Sequence, residues 1–340
     1  MLTDRQIIIF KAIVDAFVNT AEPVGSKYLL ERFKLPYSSA TIRNEMAKLE
    51  EMGYLEKTHV SSGRIPSIKG YQLYAAYSGK KEIDDQVKNQ VQQIFSSRGK
   101  TLSEIVHESC QMLSELTHLT TVALGPDARF ETLQRITIVP ISKDKVSVII
   151  VTSEGHVENR TFILGKEYSL EDLNSCVDIM NDMLIGTPIN QVIIRLEKEV
   201  KPLLAARIHE HEVLFKAFLE AFVKFASKDV YFSGKENMIY QPEFNDVNKL
   251  RRLISAFENA QTWNLIGVDQ QEGVTVKIGE RLPNSDVQDV SIISSSFKTG
   301  NEQFGSISVI GPTRMPYEEV VSLVDYISKN IENLFLDEEE

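Results

Sequence analysis

The hydrophobic positions of the first sixty residues recur at helical spacing and then switch to the alternation of a short hairpin. Phe10, Ile13, Val14, Phe17 and Val18 share one face behind Thr3 and Gln6, a capping-box pair, and predict a helix to about Asn19. Pro23, Val24 and Gly25 break the chain, and Ser26 caps a second, short helix with Leu29, Leu30 and Phe33 facing inward. Ser38 or Ser39 caps a third, which runs to Gly53 with Ile42, Met46 and Leu49 on one side. Tyr54 to Lys57 and Arg64-Ile65 then read as two strands joined by the turn Ser61-Ser62-Gly63 and closed by Pro66.

Beyond Gly70 the chain turns polar up to about Gly99, with one helix from about Ile83 to Phe95, and reads as a connector. Thr101 and Glu104 form a second capping-box pair that opens a helix through about Leu116. Strands are expected from Ile136 to Ile141 and from Val146 to Val151, the latter buried on both faces. A charged helical stretch spans Leu170 to Phe225, followed by strand-like Val230 to Phe232. Val274 to Ile278, Val290 to Ser295 and Ser306 to Ile310 read as strands, and Tyr317 to Phe335 as a closing helix.

Length and composition refine this picture. A chain of 340 residues with 42% apolar residues has material for two or three cores. No stretch approaches the length of a membrane span and no secretory leader opens the sequence, so the expectation is a cytoplasmic protein with no membrane partner. Cys110 and Cys176 lie in no ligand or redox spacing and are expected as buried thiols. The net charge of -11 argues at first against nucleic acid. However, residues 1–80 hold 11 Lys and Arg against 8 Asp and Glu, whereas 81–340 hold 26 against 40. A mildly basic head on an acidic body suits a protein that meets DNA at one end.

At 100° per residue, a third helix with Ile42, Met46 and Leu49 inward presents Ala40, Thr41, Asn44, Ala47 and Lys48 outward, with Arg43 on the flank. Small residues admit a helix to the major groove, asparagine can pair with adenine and arginine with guanine. Ser38, Ser39 and Lys48 suit phosphates. Such a stripe is also what any solvated helix shows. The hairpin adds specificity, because His59, Ser61, Ser62, Gly63 and Arg64 concentrate donors at its tip.

These residues resemble the heat-inducible transcription repressor HrcA family. The motifs are Glu22-Pro-Val-Gly-Ser26, Ser38-Ser-Ala-Thr-Ile-Arg-Asn-Glu-Met46, Leu49-Glu-Glu-Met-Gly-Tyr-Leu55, and Ser61-Ser-Gly-Arg-Ile-Pro-Ser67 with Gly70-Tyr71. Downstream stand Ile278-Gly-Glu280 and Gly305-Ser-Ile-Ser-Val-Ile-Gly-Pro-Thr-Arg-Met-Pro-Tyr317; from about Thr161 to Asn237 the match is weak. The resemblance implies an α+β multidomain chain. It would comprise a winged helix-turn-helix DNA-binding domain (1–75), a helical connector (76–100), and a GAF-like α/β domain (101–160 and 241–340) interrupted by an inserted dimerising domain (161–240). It further implies a homodimer that binds the CIRCE inverted repeat of double-stranded DNA, represses chaperone operons until heated, and depends on the GroEL chaperonin. The DNA-binding residues it implies are Ser38, Ser39, Thr41, Arg43 and Asn44 in the helix and Ser62, Gly63 and Arg64 in the wing; Lys48 and His59 join them from the helical projection and the hairpin.

Other signals carry less. His209 and His211 in a helix point to different sides, so no metal is expected there. Ser233-Gly234-Lys235 lacks the upstream glycine and the Ser/Thr of a phosphate loop. Gly311 to Met315 reads as a turn whose Arg314 faces a neighbouring domain or a ligand. No triad, carboxylate pair or metal cluster supports an enzyme, and no cofactor is expected. Two readings stand beside repression by heat: a metabolite-responsive repressor whose GAF-like domain binds an effector, and an enzyme with an appended winged helix.

Overall fold

The computed structural model describes residues 2–58, 63–77, 79, 81–96, 100, 102–125, 131–153, 155–164, 169–208, 211–225, 230–258, 273–280, 290–299 and 303–336. It is a mixed helix and sheet structure divided into two compact units, residues 1–125 with 230–340, and residues 126–229.

The first unit opens with the predicted order of three helices and a hairpin. α1 (Asp4–Thr20) starts on the Thr3–Gln6 capping box and ends where Ala21 turns left-handed at φ 57°. α2 (Ser26–Phe33) follows, then α3 (Ser39–Glu51), whose first-turn Thr41 amide donates to the Ser38 hydroxyl. β1 (Leu55–Lys57) and β2 (Arg64–Pro66) pair antiparallel. Val24, read as a mere break, also exchanges two backbone hydrogen bonds with Arg64 and so adds a third rung beside β2. Leu30, expected inward, is exposed; Leu29 alone carries full burial on α2.

α4 (Ile68–Tyr77) was not legible in the pattern, because a glycine sits in its first turn. That glycine is required by space. A Cβ on Gly70 would lie 2.2 Å from the Tyr54 carbonyl oxygen. α5 (Asp85–Ser96) falls where a connector was expected, yet it is no free linker: Val91 and Ile94 are buried against the body.

The body of this unit is an antiparallel sheet in the order β7-β3-β10-β9-β8. Its strands are β3 (Thr120–Leu124), β7 (Val230–Ser233), β8 (Val274–Glu280), β9 (Val290–Thr299) and β10 (Gln303–Pro312). Alternation assigns the two faces. Ala123, Ile293, Phe297, Ile307 and Val309 meet α6 (Leu102–Thr117) and the closing helix α12 (Tyr317–Leu336), while Val122, Leu124, Val290, Ile292 and Ile310 meet α11 (Val247–Glu258) and the adjoining 3-10 turns. β3, the strand inserted between β7 and β10, was not expected, being five residues with no turn residue ahead of it. The first core runs without interruption from Ile9 and Ile13 of α1 through Tyr71 to Tyr317 and Ile331 of α12.

The second unit holds β4 (Leu133–Pro140), β5 (Lys145–Thr152) and β6 (Val157–Ile163) in one antiparallel sheet, followed by α7 (Leu170–Leu184), α8 (Ile189–Arg195), α9 (Lys201–Arg207) and α10 (His211–Phe225). A π-helical turn, Leu196–Val200, joins α8 to α9. Two expectations are corrected here. β4 and β5 were expected in the GAF-like part (101–160), ahead of an insertion at 161–240, but both strands pair within the compact unit 126–229, which begins before β4 and ends before β7. β5 is also not buried on both faces: Val146, Val148 and Ile150 lie against the helices, whereas Ser147, Ile149 and Val151 are half-buried. The Asn181 side chain both donates to and accepts from the Ile136 backbone at 2.9 Å, fixing α7 on β4 beside its register shift.

Candidate nucleic-acid interface

α3 is held by its apolar side and by two carboxylates. Ile42, Met46 and Leu49 are buried against α1 and α2, which turns Ala40, Arg43, Asn44 and Lys48 outward, all exposed. Ser38 is exposed at the N-cap. Ser39 and Thr41 are half-buried with their hydroxyls engaged inside the head, Ser39 Oγ 3.0 Å from Ser26 Oγ and Thr41 Oγ1 2.8 Å from Ser38 Oγ. The helix therefore keeps its small, polar and basic face open, as the helical projection predicts, while the Ser39 hydroxyl also joins α3 to α2 and the Thr41 hydroxyl closes on the Ser38 cap.

The wing root differs from expectation. Arg64 does not project freely: its side chain is 16% exposed, with Nε 2.8 Å and Nη2 2.7 Å from Glu50 Oε2 in the last turn of α3. Gly63 is buried against Pro23, whose backbone a Cβ would approach to 2.8 Å. Both residues pin the hairpin to α3 and to the α1–α2 turn. His59 and Ser62, with Ser61, lie outside the described residues.

On the opposite flank of α3 the decisive residue is Glu45, which sequence reasoning missed because a carboxylate beside Met46 reads as solvated. Its side chain is 4% exposed. Gln6 Nε2 donates to Oε2 at 3.0 Å, and Oε1 lies 3.0 Å from Arg5 Nη2 and 3.3 Å from Lys48 Nζ. Burial alone would push this carboxyl up, but the bonds from Gln6 and Lys48 and the charges of Lys48 and Arg5 hold it below the ordinary glutamate range.

The head is tied to the body through Arg314. Its guanidinium, 12% exposed, lies 2.7 Å from Glu243 Oε1 and donates to the Val18 carbonyl at the end of α1 at 2.6 Å. Arg314 thus faces a neighbouring segment of the chain. Tyr71 of α4 meets Tyr317 at 6.1 Å between ring centroids.

The remaining candidates resolve into structure. Gly234 is left-handed at φ 67° and Lys235 lies 4.3 Å over the Phe232 ring, a turn with no phosphate loop. Cys110 and Cys176 are buried and unpaired, and burial pushes both thiols up to about 12. His211 opens α10 and contacts the Ile208 carbonyl, while His209 lies outside the described residues. Among the described residues no cluster of His, Cys, Asp and Glu is arranged to hold a metal ion, and no helix is long and apolar enough to cross a membrane.

A three-helix head with an open polar helix, joined to an α+β body, belongs to a transcription regulator, and the comparisons with known proteins agree. The sequence profile described as HrcA protein C terminal domain matches residues 103–321. Heat-inducible transcription repressors HrcA of Listeria welshimeri serovar 6b and Listeria monocytogenes serotype 4a are each 40% identical over 332 residues, covering 97% of this chain and 96% of the relative. A crystal structure of a hypothetical protein at 2.2 Å resolution superposes with a TM-score of 0.72 over 99% of both chains at 22% identity, which supports the fold. The chain belongs to the HrcA family of heat-inducible transcription repressors. It is a repressor and not an enzyme.

Proposed function

We propose that this chain represses class I heat-shock (chaperone) operons by binding the CIRCE inverted repeat as a homodimer, and that heating releases it. In this reading residues 1–77 are a winged helix-turn-helix domain, the five-stranded sheet with its flanking helices is a GAF-like domain, and residues 126–229 are the dimerising insertion. The protein acts in the cytoplasm, and the GroEL chaperonin restores its active fold. The observation that carries the reading is the open face of α3, with Arg43, Asn44 and Lys48 exposed on a helix whose other side is fixed by core residues. A two-fold dimer presents two such helices, so a palindromic target follows from its symmetry.

Mobility shift on a CIRCE duplex and on a scrambled duplex tests this. The intact chain is expected to prefer CIRCE, and Arg43→Ala to lose about 1–3 kcal/mol of binding to it. Equal affinity for both duplexes would refute operator recognition. The dimer is checked by sedimentation, and thermal release by repeating the shift over a temperature series.

A further inference from the structure

Glu45 is buried beside the open face of α3, yet its two cationic partners reach the surface: the Arg5 and Lys48 side chains are 48% and 54% exposed. The arrangement is built from the interior outward. The Thr3 backbone amide donates to Gln6 Oε1 at 3.0 Å, which orients the Gln6 amide. That amide in turn holds Glu45 Oε2, leaving Oε1 to receive both cations. Helical projection puts Glu45 and Lys48 on one flank of α3 and Glu50, which holds Arg64 of the hairpin, on the other.

Fold stability accounts for only part of this cluster. The partners of Glu45 more than offset its burial, but ion pairs with half-exposed cations contribute little beyond that. Removing the acidic group altogether would also leave a more positive surface for a polyanion. Its retention makes sense if it fixes where the two cations stand, because a phosphate contact made by a pre-set side chain loses less conformational freedom on binding. A helix lying in the major groove has one phosphate backbone along each flank.

We propose that Arg5 and Lys48 form a phosphate clamp along the α1 side of α3, and that Glu45 is the positioning residue that sets both. The clamp rests on the operator-binding reading given above and adds Arg5, on a different helix, to the surface that meets DNA. The ligand is the DNA backbone, so the contribution is independent of base sequence.

The test is equilibrium binding of the full chain to CIRCE and scrambled duplexes across a salt series, with folding of each variant checked by thermal melting. Arg5→Ala is expected to weaken both duplexes alike and to reduce the slope of log K against log salt by about one. Arg5→Lys should restore the slope. Glu45→Gln keeps the shape and the Gln6 bond and removes a negative charge; positioning predicts that it nevertheless weakens binding and lowers the slope. Combined with Arg5→Ala, its effect should be less than additive.

Tighter or unchanged binding by a folded Glu45→Gln, or an unchanged slope for Arg5→Ala, would overturn the clamp. Should Glu45→Gln not fold, the Arg5 pair decides alone. Loss of preference for CIRCE by the unaltered chain refutes the operator reading and the clamp together, whereas normal preference with Arg43→Ala impaired and Arg5→Ala silent refutes the clamp only.

Discussion

Arg314 is the residue on which the head and the body most visibly depend. Its guanidinium serves the Glu243 carboxylate and the Val18 carbonyl near the end of α1 together, so Arg314→Ala takes a donor from each. We expect a loss of roughly 2–3 kcal/mol, measured by denaturant unfolding. The neighbouring Tyr71 predicts the opposite. Its hydroxyl is buried with no hydrogen-bond partner among the described residues, and burial pushes the phenol far up. Tyr71→Phe should therefore leave the melting temperature unchanged or raise it, since it removes an unpaid desolvation and keeps the ring. Asp15 supplies a pH dependence. Burial raises its carboxyl despite the Tyr74 hydroxyl donating to Oδ1 at 2.6 Å. A raised acid contributes stability that is full below the ordinary value of 3.8 and is lost as pH rises through the folded value. Asp15→Asn should thus flatten the decline of melting temperature on going from acid toward neutral pH, and a pH series of melts reads this directly.

At the scale of elements, the helices and strands with strong periodicity were legible and those fixed by close contact were not. α1, α3, the hairpin and α12 follow from spacing and caps, because their apolar faces are long enough to set a period. α4 was hidden by Gly70, whose reason is the Tyr54 carbonyl, a tertiary neighbour. That gives a sign opposite to propensity: Gly70→Ala would gain about 1 kcal/mol in an open helix. Here its methyl meets backbone at 2.2 Å, so we expect a net loss of about 1–3 kcal/mol in a thermal or denaturant melt. α3 shows the same divide within one element. Its outward residues were readable from Ile42, Met46 and Leu49, but Glu45 and Arg5 were not, since two of the three partners of Glu45, Gln6 and Arg5, lie on α1 and leave no mark on the local pattern of α3. Arg64 was read as a ligand-facing cation because sequence cannot show that Glu50 stands within reach across the hairpin.

For the whole molecule, the consequence lies in the shared interior. Ile9, Tyr71, Ile293, Tyr317 and Ile331 belong to one buried cluster, so the three-helix head has no melting point of its own. Under the proposed function, the temperature at which repression lifts would then be an inherited setting, adjustable at positions remote from any base pair. Ile293→Val, a single methylene lost beneath α12, costs about 0.5–1.5 kcal/mol. It should shift thermal unfolding and operator release downward together, by about 2–4 °C per kcal/mol. A lineage moving to a cooler or warmer niche could retune its stress response through such conservative core changes while the operator, and every side chain that reads it, stayed as they were.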